Sequence, residues 1–360
     1  MSKLKIGLSI GDINGIGLEV ILKTFLNGQM FNQCTPMVYG SSKVVSYHKN
    51  IIEGNIEFHA LRPGDRPQEG KLNVVNCWNE NVNITLGKAT ELGGQYAGRS
   101  LEAAAQALKA GEIDALVTAP INKEAMKLAQ FPFPGHTEYL ARELDRGEHL
   151  MLMVNDGLRI GLATNHLPLR DVADAIDKNV VKRKVEVMEE SLRIDFGIER
   201  PTIAVLGLNP HASDGGVIGS EEEAFIRPAI VELKKKGMMV LGPFPADGFF
   251  GAGHHTKFDG ILAMYHDQGL TPFKALSFGN GVNYTAGLTH IRTSPDHGTA
   301  YDLAGKDEAD PASFRQAVYD AIDIARNRKQ YLELHENAMR DLQKPADIEG
   351  EDEVLTEDED

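Results

Sequence analysis

The sequence predicts an α/β protein, with largely parallel or mixed sheets covered by helices. Three observations carry that expectation. Short apolar runs alternate with segments of helical periodicity through most of the chain. Three of those runs lead within a few residues to a histidine: His166, His211 and His266. No internal repeat or long low-complexity linker interrupts the pattern. Sheets of this kind place ligands just beyond the carboxyl ends of their strands.

Residues 5–10 alternate as a short strand, and G-D-I-N-G-I-G follows before a helix near Leu18. Glycines there permit a tight turn and close approach of backbone N–H groups to an anion. The spacing is not the G-x-G-x-x-G dinucleotide fingerprint, so a plain turn and a ligand loop both stand open. Residues 36–40 and 73–77 read as strands, and 62–70, rich in proline and glycine, as a surface loop. Leu101 and Leu108 mark a helical face over 98–109, closed by Gly111. Residues 115–118 form a buried-type strand, followed by T-A-P-I-N-K with Lys123. F-P-F-P-G-H-T-E then delivers His136 and Thr137 to a helix start, where Thr137 serves equally as a cap.

Residues 151–154, the turn N-D-G and 158–164 make a β-hairpin that runs into N-H-L-P-L. Val181, Val185, Met188 and Leu192 line one face of a long helix stopped by Gly197. The strand 202–206 leads to G-L-N-P-H-A-S-D-G-G, and Ser220 with Glu223 has capping-box spacing. Residues 243–253 read as a loop containing Asp247, and 260–265 as the strand before His266. Val318, Ile322 and Ala325 belong to a C-terminal helix.

At 360 residues the chain has room for about two domains of ~150 residues and a large core. No apolar run approaches the ~18 residues of a membrane span, and the N-terminal stretch is too short for a signal peptide. The two cysteines exclude a disulfide framework and fit a reducing cytoplasm. Net charge is −15, but nine acids and no Lys or Arg lie in residues 347–360, so the rest carries −6. Nucleic-acid and anionic-membrane partners are therefore disfavoured. Residues 346–360 read as a disordered, solubilising acidic tail.

Three neutral imidazoles at strand ends would leave a zinc-like ion an open coordination position, as a catalytic site requires. Each histidine alone reads equally as a structural hydrogen-bonding residue. A divalent ion could polarise an alcohol oxygen for hydride transfer, or activate water for hydrolysis. Lys274 and Arg292, close by in sequence, offer positive charge suited to a phosphate, or plain surface charge.

The chain resembles the 4-hydroxythreonine-4-phosphate dehydrogenase family of vitamin B6 biosynthesis, from about residue 5 to residue 328. The resemblance rests on six ordered segments: G-D-I-N-G-I-G-L-E, F-P-F-P-G-H-T-E, A-T-N-H-L-P-L-R-D-V, G-L-N-P-H-A-S-D-G-G, L-A-M-Y-H-D-Q-G-L and I-R-T-S-P-D-H-G-T-A. It implies metal ligation by His166, His211 and His266, and substrate contacts from His136, Thr137, Lys274, Asn283 and Arg292. It implies one divalent ion per site (Zn, Mg, Mn or Co), NAD as cofactor, and a homodimer whose active site lies at the subunit interface. His266 is expected to reach the partner's ion, with His166 and His211 coming from one chain.

The implied fold is that of isocitrate and isopropylmalate dehydrogenases: two α/β/α domains flanking a cleft, not Rossmann. Residues 1–125 with 280–345 would form the cofactor side, and 126–279 the metal, substrate and dimerisation side. D-H-G-T-A-Y-D-L-A-G-K is similar to the adenosine-binding turn of those dehydrogenases, which puts His297, Gly298 and Thr299 near NAD. Asp247 and Lys123 are the candidates for proton handling.

The implied reaction is oxidation of 4-phosphohydroxy-L-threonine to a β-keto acid that decarboxylates. The alternatives are a sister enzyme acting on threonate or erythronate 4-phosphate and, more remotely, a metal-dependent hydrolase. Ile13-Asn14 stands where the family usually has Pro-Ala, and the segment bearing His254-His255 also departs from the common pattern.

Overall fold

The computed structural model describes residues 3–342, without 63, 134, 145 and 146, and without the side chains of 137, 141 and 336–342. The acidic tail expected over 346–360 lies outside the described residues. In chain order the strands are β1 (Leu4–Ser9), β2 (Cys34–Gly40), β3 (Phe58–Leu61), β4 (Leu72–Asn76), β5 (Ala115–Thr118) and β6 (Leu150–Asn155). They continue as β7 (Leu158–Leu162), β8 (Thr202–Leu206), β9 (Met239–Phe244), β10 (Gly260–Ala263), β11 (Val282–Ala286) and β12 (Arg292–Pro295).

All twelve join one sheet in the order β3-β4-β2-β1-β5-β12-β11-β6-β7-β10-β8-β9. The first six in that order run parallel. So do the last four. Between the blocks, β11 is antiparallel to both β12 and β6, and β6 to β7. The sheet therefore holds two parallel blocks of opposite direction, as the expected mixed α/β class requires. The expected hairpin is β6–β7, turning at Asp156 and Gly157.

Parallel strands covered on both faces read as continuous apolar runs, and β2 and β5 are buried throughout. Val181, Val185, Met188 and Leu192 are buried on the helix Lys178–Ile194, whose N-cap Asp177 accepts from the Val180 amide at 2.7 Å. Each such side chain contributes about 1.5–3 kcal/mol relative to exposure. The helix Glu91–Lys109 starts earlier than Leu101 and Leu108 suggest, because Thr90 caps it by accepting from Gly93 N. The helix His136–Leu144 packs Tyr139 and Leu140 against Leu101 and Leu108 of that helix.

The helix Ala312–Leu342 buries Phe314, Val318 and Ile322. It is locked to the core by Asp195, 3% exposed, whose carboxylate accepts from Arg328 Nε, Tyr284 Oη and Ser191 Oγ, each at 2.6 Å. Tyr284 lies on β11, so this network ties the reversed strand to two helices. Among the described residues no helix is long and apolar enough to cross a membrane.

Two local expectations are corrected. The Ser220/Glu223 capping box does not form: the segment Glu222–Ile226 is a π-turn, and Glu223 pairs with Arg227 at 3.0 Å instead. Asp247 lies not in a plain loop but on the short helix Ala246–Gly251, against which Phe244 and Phe258 pack through Phe249.

Candidate active site

Arg292 opens β12, beside Leu116 of β5. Its side chain is 2% exposed. Nη2 and Nε donate to Thr118 Oγ1 at 2.8 and 3.2 Å, and Nη1 reaches Thr285 Oγ1 at 3.5 Å. Among the described residues no carboxylate lies within ion-pair distance; only the field of Glu138 supports the charge. Burial pushes this guanidinium down to about 10. Desolvating an unpaired cation costs several kcal/mol, which an anionic ligand would offset.

His136 stands beside this charge. Its Nε2 is buried, with no hydrogen-bond partner among the described residues. Burial and then the Arg292 charge hold its pKa well below the ordinary value, so the ring is neutral at pH 7. A neutral ring with a free nitrogen next to a buried cation is suited to an anion's oxygen. Thr137 follows in the same helix, and its side chain is outside the described residues. Asn283, half-buried on β11, is in register with Ser294 of β12. Lys274, half exposed, reaches Asp296 at 3.3 Å. Asp296 also lies within the fields of His297 and His266, and burial raises its pKa.

His166 follows β7 and His266 opens the helix His266–Ser277 after β10; β7 and β10 are neighbours. Their ring centroids are 5.5 Å apart. Two imidazoles on one tetrahedral ion, at Zn–N of about 2 Å, would have centroids roughly 5 Å apart. His166 is held neutral: burial, then the charges of Lys123 and His266, lower its pKa against the pull of Glu138. His266 Nδ1 bonds Asp267 Oδ1 at 2.7 Å, which leaves Nε2 available, as in carboxylate–histidine–metal arrangements. The pair thus suits a divalent ion and borders a cleft of about 540 Å³ that Tyr265 and Leu169 also line.

His211 is not part of that pair. It is exposed, in a turn after β8, the strand next to β10. Among the described residues no group of three His, Cys, Asp or Glu could hold an ion. His211, Ala212, Ser213 and Asp214 all have positive φ, at 54°, 49°, 68° and 47°. Left-handed backbone costs about 1–2 kcal/mol per non-glycine residue, and such strain persists where the surroundings over-determine it. Within one chain His266 sits against His166, and His211 stands outside that pair.

The loop after β1 meets the 297–301 turn. Ile16 N donates to Thr299 O at 3.1 Å, and a Cβ on Gly15 would sit 2.9 Å from that oxygen. Tyr301 Oη donates to buried Asp12 at 2.6 Å. Asn14, fully buried, donates to Lys88 O and Thr90 Oγ1 and accepts from Thr85 N at 2.7 Å. The departure from the family's Pro-Ala thus pins a third loop to the junction. Thr299 is buried, while His297 keeps a buried Nε2 without a partner. Gly298 is exposed, with open space where a Cβ would stand. Lys123 is exposed, and its charge reaches His166. Asp247 is exposed and, among the described residues, has no hydrogen bond or ion pair.

These features define an α/β protein with a buried guanidinium held by threonine hydroxyls and, in the same chain, a pair of adjacent imidazoles. The sequence model of the pyridoxal phosphate biosynthetic protein PdxA family matches residues 32–321. A 4-hydroxythreonine-4-phosphate dehydrogenase of Bacteroides thetaiotaomicron is 48% identical over 94% of this chain and 93% of its own. A D-threonate 4-phosphate dehydrogenase of Cupriavidus necator is 38% identical over 90% and 98%. The crystal structure of 4-hydroxythreonine-4-phosphate dehydrogenase from Klebsiella pneumoniae superposes with TM-score 0.79 at 34% identity, covering 90% of this chain and 98% of that one. The chain belongs to the PdxA family.

Thr118, Thr285, Glu138 and Asp296 do not stand out in the sequence: Thr118 lies 174 residues from Arg292, and Thr285 meets it only through the pairing of β11 with β12. Thr118→Val keeps the shape but removes the Arg292 acceptor. A hydrogen bond to a charged group contributes about 1.5–3 kcal/mol, so inorganic phosphate should bind about tenfold or more weakly to this variant. Thr118→Ser should restore binding. Isothermal titration checks this, and unchanged affinity in Thr118→Val means that Thr118 does not orient the cation.

Proposed function

We propose that this protein is an NAD- and divalent-metal-dependent dehydrogenase of 4-phosphohydroxy-L-threonine, acting in pyridoxal 5'-phosphate biosynthesis. The observation that carries the reading is the buried, carboxylate-free Arg292 beside neutral His136. Family membership and the names of its relatives supply the reaction. The substrate's 3-hydroxyl loses its proton and C3 loses a hydride, giving a β-keto acid. Its carboxyl carbon leaves as carbon dioxide; the bonding pair stays on C2 and takes up a proton, giving 3-amino-2-oxopropyl phosphate. The hydride would pass to a bound NAD, and His166, His211 and His266 would hold a divalent ion that would supply polarisation of the C3 oxygen.

In this reading Arg292, Lys274, Asn283, His136 and Thr137 hold the anionic ends of the substrate. His166, His211 and His266 are the ligands for Zn, Mg, Mn or Co. His297, Gly298 and Thr299 face NAD, for which the open space over Gly298 and the free His297 nitrogen speak. Lys123 is the stronger proton-handling candidate, since its charge reaches His166, whereas Asp247 has no partner among the described residues. Two free cysteines suit a reducing cytoplasm. Residues 126–279 would be the metal, substrate and dimerisation domain, and the rest of the described chain the cofactor side.

A homodimer is proposed because one chain's imidazole pair lacks a third ligand among the described residues. Leu167 and Leu169 by His166, and Val217 and Ile218 beyond His211, expose apolar surface on those same loops. The Cupriavidus necator relative supports a second reading, oxidation of D-threonate 4-phosphate, which differs at C2.

NADH formation measured with both phosphates side by side decides the substrate. The proposal expects the higher kcat/KM on the amino-acid phosphate; a preference for the threonate ester reverses it. Subunit mixing tests the shared site. His211→Ala mixed with His266→Ala should regain about a quarter of wild-type activity, one good site in each of the half that are heterodimers. His166→Ala mixed with His266→Ala should regain none if both ligands come from one chain, which their ring separation of 5.5 Å supports. Recovery in the second mixture restores the original division, and recovery in neither means one chain builds the site.

A further inference from the structure

We propose that Gln268 is a positioning residue that fixes the His211 loop against the strand end bearing His266, with Glu222 as the second clamp. Gln268 lies two residues after His266 on the same helix. Its Oε1 accepts from Met264 N at 2.7 Å, at the end of β10. Its Nε2 donates to Gly207 O at 2.6 Å, on the first residue after β8. One side-chain amide thus bridges the two chain segments that carry His266 and His211.

Glu222 holds the same loop a few residues on. It is fully buried, and its carboxylate accepts from Asn209 N at 2.7 Å and Asn209 Nδ2 at 2.9 Å. Asn209 O in turn accepts from Ala212 N at 3.1 Å, inside the left-handed run. A Cβ on Gly207 would lie 2.9 Å from Ala212 Cα and 3.1 Å from Glu222 Oε1, so the loop is packed tightly on both clamps. Backbone held in left-handed conformations at four successive non-glycine residues needs such external restraint. The capping-box glutamate of the sequence reading is not the one that matters; its neighbour Glu222 is.

The consequence for metal binding rests on the reading of His211 as a ligand. Gln268→Glu separates the two bonds: it keeps an acceptor for Met264 N and loses the donor to Gly207 O. In the metal-free protein, amide hydrogen exchange over residues 207–216 should be faster in Gln268→Glu and Glu222→Gln than in wild type. Both variants should bind Co²⁺, followed by its visible absorption, 10–100-fold more weakly, the usual effect of losing an outer-shell partner. Inorganic phosphate affinity at Arg292 should not change, which a general loss of structure would not allow. Wild-type exchange in Gln268→Glu overturns the clamp. Faster exchange with wild-type Co²⁺ affinity, where His211→Ala loses it, overturns its role toward the metal. If His211→Ala also binds Co²⁺ like wild type, the ligand reading fails and exchange alone decides the clamp.

Discussion

A guanidinium buried in the middle of the sheet, with no carboxylate partner among the described residues, is the constraint around which this molecule is arranged. Arg292 opens the strand between β5 and β11, and each neighbour supplies a threonine hydroxyl to it. Hydroxyls orient the cation without neutralising it, so the charge remains for a ligand. The reversed strand β11 brings Thr285 to the guanidinium and Asn283 alongside β12. Its Tyr284, between them, is locked by Asp195 and Arg328. Opposite charge is thus satisfied in the scaffold and, among the described residues, withheld at Arg292. His136 follows the same logic, kept neutral by its surroundings with one nitrogen unused.

The histidines obey a different rule. A metal ligand must be neutral and its other nitrogen oriented; burial and nearby charge lower the pKa of His166, and Asp267 orients Nδ1 of His266. His211 instead rides on strained backbone held by Glu222 and Gln268. Strain held in place by buried hydrogen bonds is the mark of a residue whose position matters more than the comfort of its chain. With apolar side chains exposed on the same loops, a second copy of the chain is the natural completion in the proposed function.

Much of this was legible in the sequence where one physical signal dominated. The strands at 115–118 and 202–206 match to the residue because both are apolar runs ended by turn signals. The face of Val181, Val185, Met188 and Leu192 was readable from its period. Strands β3, β9, β11 and β12 were not: β3 and β9 lie at the sheet edges, β11 is reversed and β12 is polar in sequence, and none carries a clean alternation. Ser220 and Glu223 satisfied a local pattern, but Glu222 bonded Asn209 across the fold, and tertiary contacts overrode the cap. The three strand-end histidines were visible; which two would meet was not, since strand order is a long-range property. Thr118 and Gln268 were invisible for the same reason: their partners lie 174 and 61 residues away.

The most direct measurement compares calorimetric binding of 4-phosphohydroxy-L-threonine and its phosphate-free analogue to metal-free, cofactor-free protein, in wild type and in Arg292→Ala. A phosphate-anchored site requires wild type to bind the phosphorylated compound at least about tenfold more tightly, the weight of one charge-assisted hydrogen bond. Arg292→Ala should lose most of that preference while still binding the analogue. Equal affinities in wild type, or a preference that survives in Arg292→Ala, would contradict the role of the buried guanidinium.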